Sequence, residues 1–378
     1  MRGSVLTNMA TLGVKRDGSW PLCGALLGIW LTIGGAKPSY ATEQPITIEA
    51  LVRNQRVEGT PLAWSKSIMY LLKRDGAFIE FSPAEARDYQ KTAVGFSPYS
   101  PAILRGQLER EFGPAFEVTG TGHFLVVHPK GQQQWADRFE QMYRSCIMYF
   151  KVRGFTLTDP EFPLVAIVFP NRDGFLRYAM QDGAPQATGL LGYYSRKTNR
   201  VALYDIGAGR GNAQVNEANI ATVFHEASHQ TAFNTGIHNR YAPPPRWVIE
   251  GLGTMFEARG VNDSRTYPNA KDRINQERLK DFRQFLAKRK PGIFLDLLNS
   301  DRMFEQDAIA AYAEAWAFTF FLVETMPRDY AKYLAKTAAR QPFTDYPAAQ
   351  RVKDFTDVFG ENTALLEAKF LRFIAELN

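Results

Sequence analysis

The chain is short of cysteine and histidine: 378 residues include 2 cysteines and 5 histidines. Cys23 lies in an N-terminal segment that reads as removable, which leaves Cys146 alone and excludes an intramolecular disulfide in the mature chain. Cys146 then reads as a buried helix residue. A strong excess of one charge is also missing, since 45 Lys and Arg face 39 Asp and Glu for a net +6. The first 41 residues carry three of those six charges. What remains is weakly basic and does not point to nucleic acid as a partner.

One apolar run spans residues 20–36, with Lys15 and Arg16 before it and Ser39-Tyr40-Ala41 after it. That order predicts a secretory signal over residues 1–41. The run is at the short limit for crossing a bilayer and holds Pro21 and several glycines, which weakens it as an anchor. Cys23 follows Trp20-Pro21-Leu22, which is no lipobox. The expectation is export to the periplasm or cell envelope, with no stable membrane span after cleavage.

The informative stretch is residues 221–259, which hold His225-Glu226-x-x-His229 and then Trp247-x-x-Glu250-Gly251. With so few histidines, this H-E-x-x-H pattern should arise by chance roughly 0.004 times in such a chain. On a helix, His225 and His229 project from one face, so both imidazoles can meet a single metal ion. Glu226 sits one position round, able to reach a water at that metal without being a ligand. The context suits a helix: Asn212 or Asn216 can cap its start, Ile220, Val223, Phe224 and Ala227 form an apolar stripe, and Gly236 can stop it.

A second helix is expected after Pro243-Pro244-Pro245, running to Gly260. Ile249, Leu252 and Phe256 share an apolar face, and Glu250, Thr254 and Glu257 share another about 130° away. Gly251 and Gly253 each cost about 1 kcal/mol relative to Ala inside a helix. Something must therefore approach that backbone closely, and the motif helix is the candidate.

These residues resemble the gluzincin clan of zinc metallopeptidases, in which a glutamate from a later helix joins the two histidines. The resemblance implies that His225, His229 and Glu250 bind Zn2+ and that Glu226 is the general base. More closely, residues 118–256 resemble a bacterial family of uncharacterised secreted peptidases (domain of unknown function 1570, peptidase MA-like), through PLVAIVF, GYYSRKTNRVALYD, FHEASHQ, FNTG and PRWVIEGLGTMFE. A zincin-like fold is implied; no substrate is. Twenty residues separate His229 from Glu250, so Glu250 rests on its W-x-x-E-G context.

The predicted fold class is α+β, a zincin-like core between an N-terminal β-rich module and a C-terminal helical lobe. Residues 1–41 are the signal, 42–112 the β-rich module, 113–260 the catalytic domain and 261–378 the helical lobe. Alternating runs and Asp75-Gly76 predict antiparallel strands over residues 46–81, followed by mainly helical chain over 83–112. A βαβα order over 115–211 leads into the motif helix. His123 and His128, on its strands, read as hydrogen-bonded rather than ligating. Beyond Gly260, helices are expected over 271–288, 301–325, 328–340 and 362–376, with Ile309, Tyr312, Trp316 and Phe320 as an apolar stripe in the second. Lys288-Arg289-Lys290 reads as a solvated helix end.

Further site expectations follow. Thr254 or Glu257 could orient a ligating histidine. Tyr312, from the C-terminal lobe, could hold an oxyanion, as gluzincins often arrange. The hairpin at 192–204 could take an extended peptide or protein substrate as an added strand, with Tyr193, Tyr194 and His238 as substrate contacts. The implied activity is hydrolysis of peptide bonds. The alternatives are a catalytically inactive, peptidase-like binding module of the cell envelope, against which the intact Glu226 argues, and hydrolysis of a non-peptide amide.

Overall fold

The structure, a computed structural model, describes residues 45–207 and 213–377, and no side chains between 208 and 216. The expected signal over 1–41 and the Asn212 cap lie outside the described residues, as does the Asn216 side chain. No helix among the described residues is long and apolar enough to cross a membrane.

The mixed α+β class holds. Five antiparallel strands come first: β1 (Ile46–Val52), β2 (Gln55–Trp64), β3 (Met69–Lys73), β4 (Phe78–Phe81) and β5 (Ala86–Val94), in the order β4-β3-β2-β1-β5. Asp75-Gly76 turns β3 into β4, with Gly76 at φ 88° and the Asp75 carboxylate accepting from the Ala77 amide. Ile48, Ala50, Val52, Leu71 and Phe81 form a small core beneath this sheet. The expectation that residues 83–112 are mainly helical is corrected by β5, which pairs with β1. As an edge strand it leaves most of its side chains exposed, so its sequence has no apolar alternation to betray it. The helix α1 begins only at Pro101 (Pro101–Phe112), capped by Ser100.

The second sheet comprises β6 (Phe116–Gly120), β7 (Phe124–Pro129), β8 (Leu164–Phe169), β9 (Gly192–Ser195) and β10 (Arg200–Tyr204), ordered β6-β7-β8-β10-β9. β7, β8 and β10 run parallel, while β6 and β9 are antiparallel edges. All six residues of β8, LVAIVF, are buried, as a central parallel strand covered on both faces requires. Helices α1 and α3 (Arg172–Gln181) cover one face through Leu104, Leu108, Phe175 and Ala179. Helices α2 (Gln134–Lys151) and α4 (Ala213–Asn234), the motif helix, cover the other.

Nine helices follow among the described residues: α5 (Arg246–Phe256), α6 (Arg259–Asn262), α7 (Gln276–Leu286), α8 (Ile293–Asn299), α9 (Met303–Gln306), α10 (Ala308–Thr325), α11 (Pro327–Ala338), α12 (Ala348–Phe359) and α13 (Thr363–Glu376). One apolar core runs from Phe124 on the sheet to Ile374 on α13. At its centre, α10 is buried nearly all round, from Ala310 to Val323. The expected stripe is therefore not what orients α10, and Ile309 is 67% exposed. Arg289 corrects the solvated-end reading of residues 288–290: its side chain is buried and pairs with Glu367 and with the fully buried Glu314 of α10, at 2.7 Å from the latter. A buried carboxylate requires such a partner.

Candidate metal centre

Helix α4 enters under β9 and β10 and ends at Gly236, whose φ of 85° suits glycine alone. Its side chains are buried on both flanks, because the sheet lies on one and α5 on the other. Gln230 illustrates the first contact, donating to the Val165 and Asn199 carbonyls at 3.1 and 2.7 Å. Gly253 of α5 makes the second. A Cβ there would stand 2.7 Å from His229 Cε1 and 2.9 Å from His225 Cε1, so only glycine lets α5 come this close to the imidazoles. Gly251 answers to another neighbour, the Ala315 carbonyl and Thr319 hydroxyl of α10. The close approach expected at both glycines thus comes from two different helices.

This approach brings three groups together. His225 Nε2 and His229 Nε2 are 3.0 Å apart, and Glu250 Oε2 is 3.4 Å from each. Ligand bonds of about 2.0–2.1 Å around a tetrahedral zinc imply ligand atoms about 3.3–3.4 Å apart. Two edges of the triangle in the structure have that length, and the His225–His229 edge, at 3.0 Å, is shorter. The donor set, two imidazoles and a carboxylate within 4.8 Å of one another, can hold a metal ion and leaves the fourth corner open.

The surroundings fix the donors. Glu257 Oε1 lies 2.8 Å from His225 Nδ1, so that nitrogen carries the proton and Nε2 keeps its lone pair for the metal. Asn275 Nδ2 holds the other oxygen of Glu257 at 2.7 Å, and Arg278 stands 3.7 Å from it. Asn275 was not foreseen; it also caps α7, and a capping Asn is the signal it carries in the sequence. Arg246, one turn before Glu250, donates from Nε to Glu250 Oε1 at 3.4 Å, leaving Oε2 for the histidines. His229 Nδ1 is buried without a partner.

Electrostatics follow from this packing. Burial opposes the charged forms of His225 and Glu250, but their mutual hydrogen bond, with those to Glu257 and His229, outweighs it. The His225 pKa is accordingly raised and that of Glu250 lowered. Burial raises the Glu226 carboxyl, against the pull of His225, His229 and the nearby Tyr194 amide of β9. A carboxylate shifted upward beside two imidazoles is suited to accept and return a proton.

The other expected residues divide. Tyr312 is at the site: its ring lies 6.2 Å from that of His225. Burial and the charges of Glu250 and Glu226 push its pKa upward, so the phenol stays neutral. Thr254 is corrected, since its hydroxyl bonds back to the Glu250 carbonyl at 2.8 Å within α5 and reaches no histidine. Tyr193 is corrected too. It points to the far face of the sheet and donates to Asp182 at 3.0 Å, because neighbours on a strand face opposite ways.

Tyr194 faces α4, but its hydroxyl goes to Asn199 and its ring stacks on Phe233, so its backbone rather than its side chain meets the site. His238 is 2% exposed beneath Phe233, with burial and the nearby His229 lowering its pKa to about 3. Burial removes it as a substrate contact. His123 and His128 stand apart, bonded to Glu140 and to Thr119. A surface hollow of about 680 Å³ lies at the opposite, β6 edge of the sheet and holds none of these groups.

The family described as "Protein of unknown function (DUF1570)" matches residues 219–344, a third of the chain that includes His225, His229, Glu250, Glu257 and Tyr312. No curated protein matches the chain. The match starts and ends later than residues 118–256, over which the family resemblance was read, and carries no activity with it.

Proposed function

We propose that the chain is an exported zinc metallopeptidase of gluzincin type, acting on peptide or protein substrates. The convergence of His225, His229 and Glu250, with Glu226 beside them, is the observation that carries this reading. A zinc ion held there supplies Lewis acidity, polarising a carbonyl and acidifying water. Glu226 takes the proton from the attacking water and returns it to the leaving amine. Glu257 keeps His225 oriented, and the Tyr312 hydroxyl donates to the oxygen that gains charge. Strand β9, the edge strand of its sheet beside Glu226, can align an extended peptide by main-chain hydrogen bonds.

Glu226→Gln tests the mechanism. It nearly preserves shape, so zinc content and melting temperature should stay at wild-type values while hydrolysis of a diverse peptide library falls by about 10²- to 10⁴-fold. Equal cleavage by Glu226→Gln refutes the role of the base. A zinc-loaded wild-type protein that cuts nothing in the library refutes the peptidase reading.

A further inference from the structure

Near Tyr194 of β9, two cations lack a counter-ion among the described residues. Arg240, between α4 and α5, is 5% exposed. Its Nη2 donates to the Tyr241 hydroxyl at 2.8 Å, its guanidinium lies over the Tyr241 and Phe78 rings at 5.0 and 5.9 Å, and its buried Nη1 has no hydrogen-bond partner. Arg196, exposed just after β9, donates to the Arg240 carbonyl at 3.5 Å. Neither has a carboxylate within ion-pair distance among the described residues. Glu161, an exposed carboxylate that feels the Arg240 charge, stands farther off. Aromatic faces offset part of the cost of burying a guanidinium. An unpaired buried charge remains expensive, and proteins ordinarily pair it.

The position of the pair relates it to catalysis. The Tyr194 ring stacks on Phe233, one turn beyond His229, and the Tyr194 amide lies near the Glu226 carboxylate. Arg196 opens the four-residue turn that joins β9 to β10, two residues after Tyr194 and directly beyond the end of the strand. A peptide added to β9 therefore runs past Tyr194 toward the Arg196 turn. Phe78 arrives from β4 of the N-terminal sheet, and its amide donates to the Lys197 carbonyl at 2.9 Å. That sheet thus walls off this end of β9.

We propose that Arg196 and Arg240 form an anion subsite at the end of β9, which takes a carboxylate side chain of a peptide substrate. The idea rests on β9 as the substrate edge in the function proposed above. Arg196 supplies the exposed fork that a carboxylate can grip in bidentate fashion, and the buried Arg240, whose carbonyl Arg196 contacts, adds positive charge at the same end of β9.

Binding to zinc-loaded Glu226→Gln separates this subsite from turnover. The probes are fluorescein-labelled octapeptides, identical except for a single Glu or Gln walked through each position, read by anisotropy. At one position the Glu peptide should bind at least about 10-fold tighter than its Gln counterpart, and adding Arg196→Gln should bring that ratio to about 1. Arg196 is exposed, so this variant keeps its fold; Arg240→Lys, checked by melting temperature, should reduce the ratio as well. Equal binding of Glu and Gln peptides at every position, or a preference that survives Arg196→Gln, overturns the subsite. A preference abolished by Arg196→Gln in a protein whose wild type cleaves none of the peptides keeps the subsite and overturns the peptidase reading alone.

Discussion

Gly253→Ala sets two effects of opposite sign against each other. In a helix interior, replacing Gly by Ala stabilises by about 1 kcal/mol through backbone entropy. At this position the new Cβ stands 2.7 and 2.9 Å from the Cε1 atoms of His229 and His225, closer than carbon atoms tolerate. Those atoms belong to rings held from several sides. His225 is fixed by Glu257 at 2.8 Å, and both imidazoles are buried, so relief must come from α5 moving away from α4. That displacement carries Glu250 away from the imidazoles, because it lies on the same helix three residues earlier. Disturbing the groups that orient metal ligands typically costs 10–100-fold in affinity. At a free zinc concentration 100 times the wild-type dissociation constant, binding contributes about 2.7 kcal/mol of stability, most of which a 100-fold weaker site loses. The zinc-free variant should therefore melt close to the wild type, while the increase in melting temperature on adding zinc should shrink sharply. Competition with a chromophoric chelator measures the affinity directly. A Gly253→Ala variant that binds zinc as tightly as wild type, with a higher melting temperature in both states, would falsify the close approach of the two helices.

Glu257→Gln should weaken zinc binding by about 10–100-fold, since the amide no longer favours the proton on His225 Nδ1; unchanged affinity in the chelator assay would remove Glu257 from the site. Tyr312→Phe should keep wild-type zinc content and lower kcat by roughly 10²-fold or more, as loss of an oxyanion donor does, and an unaltered kcat would return Tyr312 to a packing role. Cys146 is fully buried, and burial pushes its thiol pKa upward, so it should resist a thiol reagent in the native protein and react fully in denaturant. Rapid labelling of the native chain contradicts its placement in the core.

Most of the metal centre was legible in sequence because its determinants are local. His229 follows His225 by four positions, so the helical period alone brings them together. Glu257 follows Glu250 by seven positions, two helical turns, which is why Glu257 could be proposed to reach a histidine. The same reasoning proposed Thr254, and it failed, because a hydroxyl one turn from a free carbonyl bonds its own helix first. Strands were legible where burial imposed a pattern, as in the unbroken LVAIVF of β8, and illegible in β5, where exposure imposed none.

The sequence by itself determined the helical spacing of the ligands and the glycines that a close neighbour would need. Only the tertiary structure decided which neighbour each glycine admits: the imidazoles at Gly253 and α10 at Gly251. It likewise decided that Asn275 supports Glu257, that Arg289 answers the buried Glu314, and that Arg240 stands buried without a carboxylate. Each of these depends on groups that lie far apart along the chain and meet only when it folds. Propensity and periodicity act over one or two turns, whereas a buried charge or an absent Cβ acquires its meaning from whatever the fold packs against it.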